Sequence, residues 1–137
     1  MDRQEYIDNL LDHYENPRNR RAIEDADIVY EGGNPGCGDI VHMYAKLDGD
    51  DRIADVSFEG EGCTISQASA SIITEMVRGK TLDELEGMNY QTLVEELGSE
   101  VVAPRIKCAV LALGTLKAGA HEFQSKRRVK VAANTRE

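Results

Sequence analysis

A chain of 137 residues, 41% of them hydrophobic, is long enough to bury one core without disulfides or a structural metal, and its net charge of −9 argues against non-specific nucleic-acid binding. No apolar run approaches bilayer-spanning length, and the opening MDRQEYID lacks the basic start and apolar stretch of a secretory signal. The expectation is a soluble cytoplasmic protein with reduced thiols, without nucleic-acid or membrane partners.

The charge is uneven. Residues 124–137 carry five Lys/Arg against one Glu, which leaves −13 on the rest. The expected organisation is a single domain over residues 1–123 followed by a basic, flexible tail over 124–137.

Residues 2–15 read as a helix, with Tyr6, Ile7, Leu10, Leu11 and Tyr14 on one apolar stripe. Asp2 and Glu5 have capping-box spacing, and Pro17 stops the helix. A polar connector follows to about residue 27, and 28–30 reads as a short extended piece. From Asp39 the period changes to two: Val41, Met43, Ala45 and Leu47 alternate with Ile40, His42, Tyr44 and Lys46. DGDD turns the chain. Ala54, Val56 and Phe58 are read as the apolar face of a second strand, and EGEG as the approach to a short third one.

The second half is helical in pattern. Ile65, Ala68, Ile72 and Met76 share a face of a long helix that Gly79 ends. Thr81 with Glu84 is a second capping box, Asn89 caps another helix ending at Gly98, and Pro104 marks the start of a last one. The face of that last helix is Ile106, Ala109, Val110, Leu113 and Leu116. Strands followed by helices make an α+β domain: a small three-stranded antiparallel sheet with helices packed on one face and an N-terminal helix.

On this layout each of the three cysteines falls at an element boundary. Cys37 sits between Gly36 and Gly38, Cys63 precedes the long helix, and Cys108 lies in the first turn of the last helix. Asp39 follows Cys37 by two residues; if extended geometry begins at Cys37, both side chains point to one side. Cys37, Asp39, Cys63 and Cys108 are therefore candidate metal ligands, three sulfurs and one oxygen. Four such ligands could satisfy tetrahedral zinc or, with one carboxylate in place of the usual fourth thiolate, an iron–sulfur cluster. The carboxylate is expected to make a cluster easier to release. Gly36 and Gly38 leave space beside the Cys37 sulfur. Cys108, near the helix start with Arg105 and Lys107 beside it, is expected to have a lowered pKa. His13, His42 and His121 are read as structural or solvated rather than as ligands. The Cys-x-Asp spacing alone is a weak signal, and a buried apolar role is the competing reading for Cys63.

Five stretches in this order carry a resemblance: HYENPRN (13–19), GNPGCGD (33–39), FEGEGCTISQASAS (58–71), GKTLDEL (79–85) and RIKCAVLAL (105–113). The chain resembles the U-type iron–sulfur assembly scaffolds, which include IscU, SufU and the N-terminal domain of NifU. The resemblance spans roughly residues 3–120 and includes all three cysteines. It implies a small antiparallel sheet with helices on one face, in agreement with the reading above. It implies that Cys37, Asp39, Cys63 and Cys108 form the metal site, with iron in a transient [2Fe–2S] cluster and zinc as a resting or alternative metal.

The resemblance also implies partners: a cysteine desulfurase that supplies sulfur as persulfide, and apo iron–sulfur recipient proteins. An Hsp70-type chaperone and a second copy of the chain are further candidates. Cys37 and Cys108 are the candidate sulfur acceptors, and Lys107 a candidate for stabilising thiolates or exchanging with Asp39 or Cys108. Lys107 stands where IscU proteins typically carry His, as in SufU-like members, yet residues 79–107 leave no room for the SufU insertion. VAPRIK (102–107) keeps one Pro and the Lys of the chaperone-recognition motif. The expected function is assembly and transfer of a cluster, a scaffold or carrier role; the alternative is a zinc-dependent sulfurtransferase like SufU. A zinc hydrolase or deaminase is disfavoured, because the deaminase HxE…PCxxC pattern is absent.

Overall fold

The computed structural model describes residues 1–34, 36 and 38–135, and beyond Val129 the backbone alone. Cys37 therefore lies outside the described residues. The elements run α1 (Arg3–Glu15), β1 (Ile28–Asn34), β2 (Asp39–Leu47), β3 (Ile53–Glu61), α2 (Thr64–Val77), α3 (Leu82–Glu86), α4 (Tyr90–Leu97), α5 (Ser99–Val102), a 3-10 turn at Ala103–Arg105, and α6 (Ile106–Thr135).

The sheet is antiparallel in the order β1-β2-β3. Its third member differs from the sequence expectation. The extended piece at 28–30 grows into the full strand β1, paired from Ile28 with Ala45 to Asn34 with Asp39, whereas Glu59 to Glu61 of EGEG end β3. On β2 the period-two reading holds, with Val41, Met43 and Ala45 buried. On β3 it shifts. Lys46 pairs with Asp55 but Leu47 with Ile53, so a bulge skips Ala54. Ile53 thereby turns into the core and Ala54 faces solvent.

Helices α2 and α6 cover one face of the sheet. Ile73 and Val77 of α2 and Leu113 and Leu116 of α6 are fully buried against Met43, Val56 and Phe58. α6 approaches β1 so closely that a Cβ on Gly32 would fall on the Thr115 hydroxyl. Only a glycine fits that crossing.

The predicted caps form: Asp2 with Glu5, and Thr81 with Glu84, are reciprocal capping boxes, and Asn89 caps α4. The buried arc of α1 is narrower than its sequence stripe. The helix lies on α2 along one side, so Leu10 and His13 are buried while Leu11 and Tyr14 face solvent. Ile106, read as part of the last helix's core face, is likewise exposed. Of the basic stretch at 124–137, the described residues continue α6, whose backbone helix runs on to Thr135. Arg127 donates to Asp51 Oδ1 in the β2–β3 turn at 2.8 Å. Among the described residues, no helix is long and apolar enough to cross a membrane.

The connector after α1 has a defined route. Asn19 O accepts from Phe58 N–H at 3.0 Å, which covers the free edge of β3. Ser71 Oγ on α2 accepts from Arg18 N–H at 2.8 Å and lies 2.7 Å from His13 Nδ1. The Nε2–H tautomer lets the hydroxyl donate to Nδ1 and places the ring N–H 3.6 Å from Glu75 Oε1. Burial, with Arg18 nearby, holds the His13 pKa below its ordinary value, against the pull of Glu75 and Asp12.

Two outcomes follow. Ser71→Ala leaves the Arg18 N–H and His13 Nδ1 without their partner, and should lower unfolding free energy by about 1–3 kcal/mol in denaturant titration. Because the folded His13 pKa is depressed, the unfolded chain takes up the proton first as pH falls. Stability should therefore decline below about pH 6.5, and a His13→Gln variant should lose that part of the pH dependence in the same titrations.

Candidate metal centre

Three elements meet at the end of the sheet where β2 begins. Asp39 is the first residue of β2, Cys63 is the N-cap of α2, and Cys108 sits in the first turn of α6. One carboxylate oxygen and the two sulfurs lie within 4.8 Å of one another. Asp39 and Cys108 are each 1% exposed, while Cys63 is half-buried.

The carboxylate is divided between two sets of donors. Oδ1 accepts from Cys63 N–H at 2.9 Å and from the Ser66 hydroxyl at 3.3 Å. Oδ2 accepts from the Cys108 thiol at 3.0 Å. Burial works against ionising Asp39, yet the Cys108 S–H, the Cys63 N–H and the Asn34 and Ser66 side chains together hold its carboxyl below the usual range. The same contacts act oppositely on sulfur. Burial first, then the bond to Asp39, then the Cys63 sulfur push the Cys108 thiol well up from its ordinary value.

The expected lowering at Cys108 is thus reversed. Arg105 and Lys107 are both exposed, whereas the thiol points inward onto a carboxylate. An anion beside a thiol outweighs a helix terminus whose cations are in water. Lys107 instead lines a groove with Tyr30, Asn34 and Tyr90, and its carbonyl accepts from the Asn34 amide at 3.2 Å. Of the stretch 102–107, Val102 is buried and Ala103 to Lys107 are exposed.

β2 starts at Asp39 and Gly38 has φ +71°; the reading that Cys37 and Asp39 point to one side lies outside the described residues. Gly38 takes the left-handed geometry open to glycine, and its N–H donates to Asn34 O at 3.0 Å.

Sequence reasoning passed over Ser66 and Gly62. Ser66 N–H donates to Cys63 Sγ at 3.4 Å and its hydroxyl to Cys63 O at 3.0 Å. A spacing of three from an N-cap residue was the available signal. A Cβ on Gly62 would fall on Asp39 Oδ1 and Ser66 Oγ, so the backbone passes directly over this contact.

The donor set fits a thiophilic divalent metal or an iron–sulfur cluster. Two thiols and a carboxylate converge, and ligation must remove the proton of each thiol, including the one Cys108 shares with Asp39. Asp39, Cys63 and Cys108 would hold such a group.

A fold of this kind with thiols and a carboxylate at one end of the sheet defines a class of small sulfur- and metal-handling domains. Residues 5–130 match the family described as the NifU-like N terminal domain, and the chain belongs to that family. It is 38% identical over 128 residues to the iron–sulfur cluster assembly scaffold protein IscU of Escherichia coli K12, covering 91% of this chain and 98% of the relative. It is 37% identical over 131 residues to the zinc-dependent sulfurtransferase SufU of Bacillus subtilis strain 168, covering 83% and 88%. Among solved structures, a SUF-system scaffold candidate from Fervidobacterium islandicum AW-1 superposes with a TM-score of 0.69 at 33% identity, covering 82% of this chain and 93% of that one.

In metal-free protein, burial should order the thiols: brief iodoacetamide treatment followed by peptide mass spectrometry should find Cys63 alkylated well before Cys108. Equal labelling would mean that this end of the domain is open in solution.

Proposed function

We propose that this protein is an iron–sulfur cluster assembly scaffold, working in the cytoplasm between a cysteine desulfurase and apo recipient proteins. The observation that carries the reading is the convergence of Asp39, Cys63 and Cys108 from three different elements on one small space. Cys37 is the proposed fourth ligand. The similarity to IscU over nearly the whole of both chains supports the same role.

Sulfur arrives as a persulfide on the desulfurase. A thiolate of this chain attacks its terminal sulfur; the sulfur–sulfur bond breaks, the donor cysteine leaves as thiolate, and a persulfide forms on the acceptor. No net electrons are exchanged. The burial and raised pKa of Cys108 weigh against it as first acceptor, which leaves Cys37 of the two candidates. The cluster, proposed to be [2Fe–2S], is cargo. Asp39 contributes the one oxygen ligand, harder and less tightly binding to iron than thiolate, which favours release.

One observation favours a second reading. Lys107 precedes Cys108, and the similarity to a zinc-dependent sulfurtransferase is nearly as strong as that to the scaffold. In that reading Cys37, Asp39, Cys63 and Cys108 hold zinc and one thiol relays sulfur.

Anaerobic reconstitution with a cysteine desulfurase, cysteine and ferrous iron, with zinc removed, separates the two. Sulfide-to-iron charge-transfer bands with about two irons per site, lost in Cys63→Ser and Cys108→Ser, are the expected result. A colourless protein that binds one zinc and then stimulates the desulfurase would replace the scaffold with a sulfur relay.

A further inference from the structure

The strongest unassigned feature is the buried hydroxyl of Ser66, which has one proton and two acceptors. It lies 3.0 Å from Cys63 O and 3.3 Å from Asp39 Oδ1. Gln67 Nε2 donates to the same oxygen at 3.5 Å, leaving the hydroxyl proton free to serve either acceptor. Ser66 is buried on α2, directly over the glycine that leaves room for this contact.

We propose that Ser66 is a positioning residue that keeps Asp39 a one-oxygen ligand. Cys63 N–H and the Ser66 hydroxyl occupy Oδ1 from the α2 side. Oδ2 faces the Cys108 sulfur, and is freed when that thiol loses its proton. An oxygen already holding two donors is a poor second ligand, so the carboxylate is fixed in orientation and kept monodentate. When Asp39 lets go, the hydroxyl has Cys63 O as an alternative acceptor and Oδ1 keeps the Cys63 N–H. The inference rests on the metal-site reading above.

The test uses the full-length protein loaded with cobalt(II) or zinc alone, with chelator-driven release as the readout. Ser66→Ala should release metal about 10-fold faster than the parent protein and shift the cobalt ligand-field bands. In an Asp39→Ala background the same substitution should change neither, because the group it positions is gone. Gly62→Ala, which crowds the contact but keeps the hydroxyl, should also speed release, and carries the test if Ser66→Ala does not fold. Release at the parental rate in the folded variants would overturn the inference. So would equal acceleration with and without Asp39, which would mark a structural role; in both cases the metal site stands. Failure of the parent protein to bind cobalt with thiolate charge-transfer bands would overturn the metal-site reading, and the inference with it.

Discussion

The arrangement depends on a buried carboxylate. An ionised Asp39 at 1% exposure must have donors at both oxygens, and no single element supplies them. β2 contributes the acid, α2 an amide and a hydroxyl, and α6 a thiol. The ends of three elements are thereby brought to one point. The glycine at 62 lets the α2 terminus reach the carboxylate, and the glycine at 32 lets α6 pack closely on β1.

That solution has an energetic asymmetry. Without metal, the Cys108 thiol is a good donor to the carboxylate and a poor nucleophile, and each group reinforces the other's state. Ligation removes the shared proton and leaves two or more anions together, which only a cation can make favourable. The metal-free site is therefore closed and protonated, and the loaded site is anionic. Moving between them exchanges protons for a cation. Stability is held elsewhere, in the sheet–helix core and in the Ser71 junction that ties α1 and its connector to α2.

Much of this was legible in the sequence, and the failures have physical causes. Capping residues announce helix starts locally, so Asp2, Thr81 and Asn89 were readable. The inward face of β2 was readable because one side of it is buried along its whole length. β1 was not, because Glu31, Gly32, Gly33 and Asn34 carry no apolar alternation; what makes them a strand is pairing with β2 and packing under α6. The bulge that exposes Ala54 is set by register, which no local pattern encodes. At the site, residue types indicated Asp39, Cys63 and Cys108. The sign of the Cys108 shift depended on which way the thiol points, toward Asp39 and away from Arg105 and Lys107, and only the tertiary arrangement supplies that.

The two functional readings share one donor set and part company over the acid. A resting zinc site gains from a carboxylate that stays in place, and a cluster scaffold from one that leaves cleanly. In the scaffold reading Asp39 suits controlled departure: Oδ1 accepts from Cys63 N–H at the α2 terminus, and the Ser66 proton has Cys63 O as an alternative acceptor. A carboxylate tethered at one oxygen can detach from a metal without reorganising the backbone, its second oxygen regaining a donor once the Cys108 thiol is reprotonated. The cost of opening the site is then limited to one metal–oxygen bond. That economy matters most to a protein whose cargo must come off, and it weighs toward the scaffold.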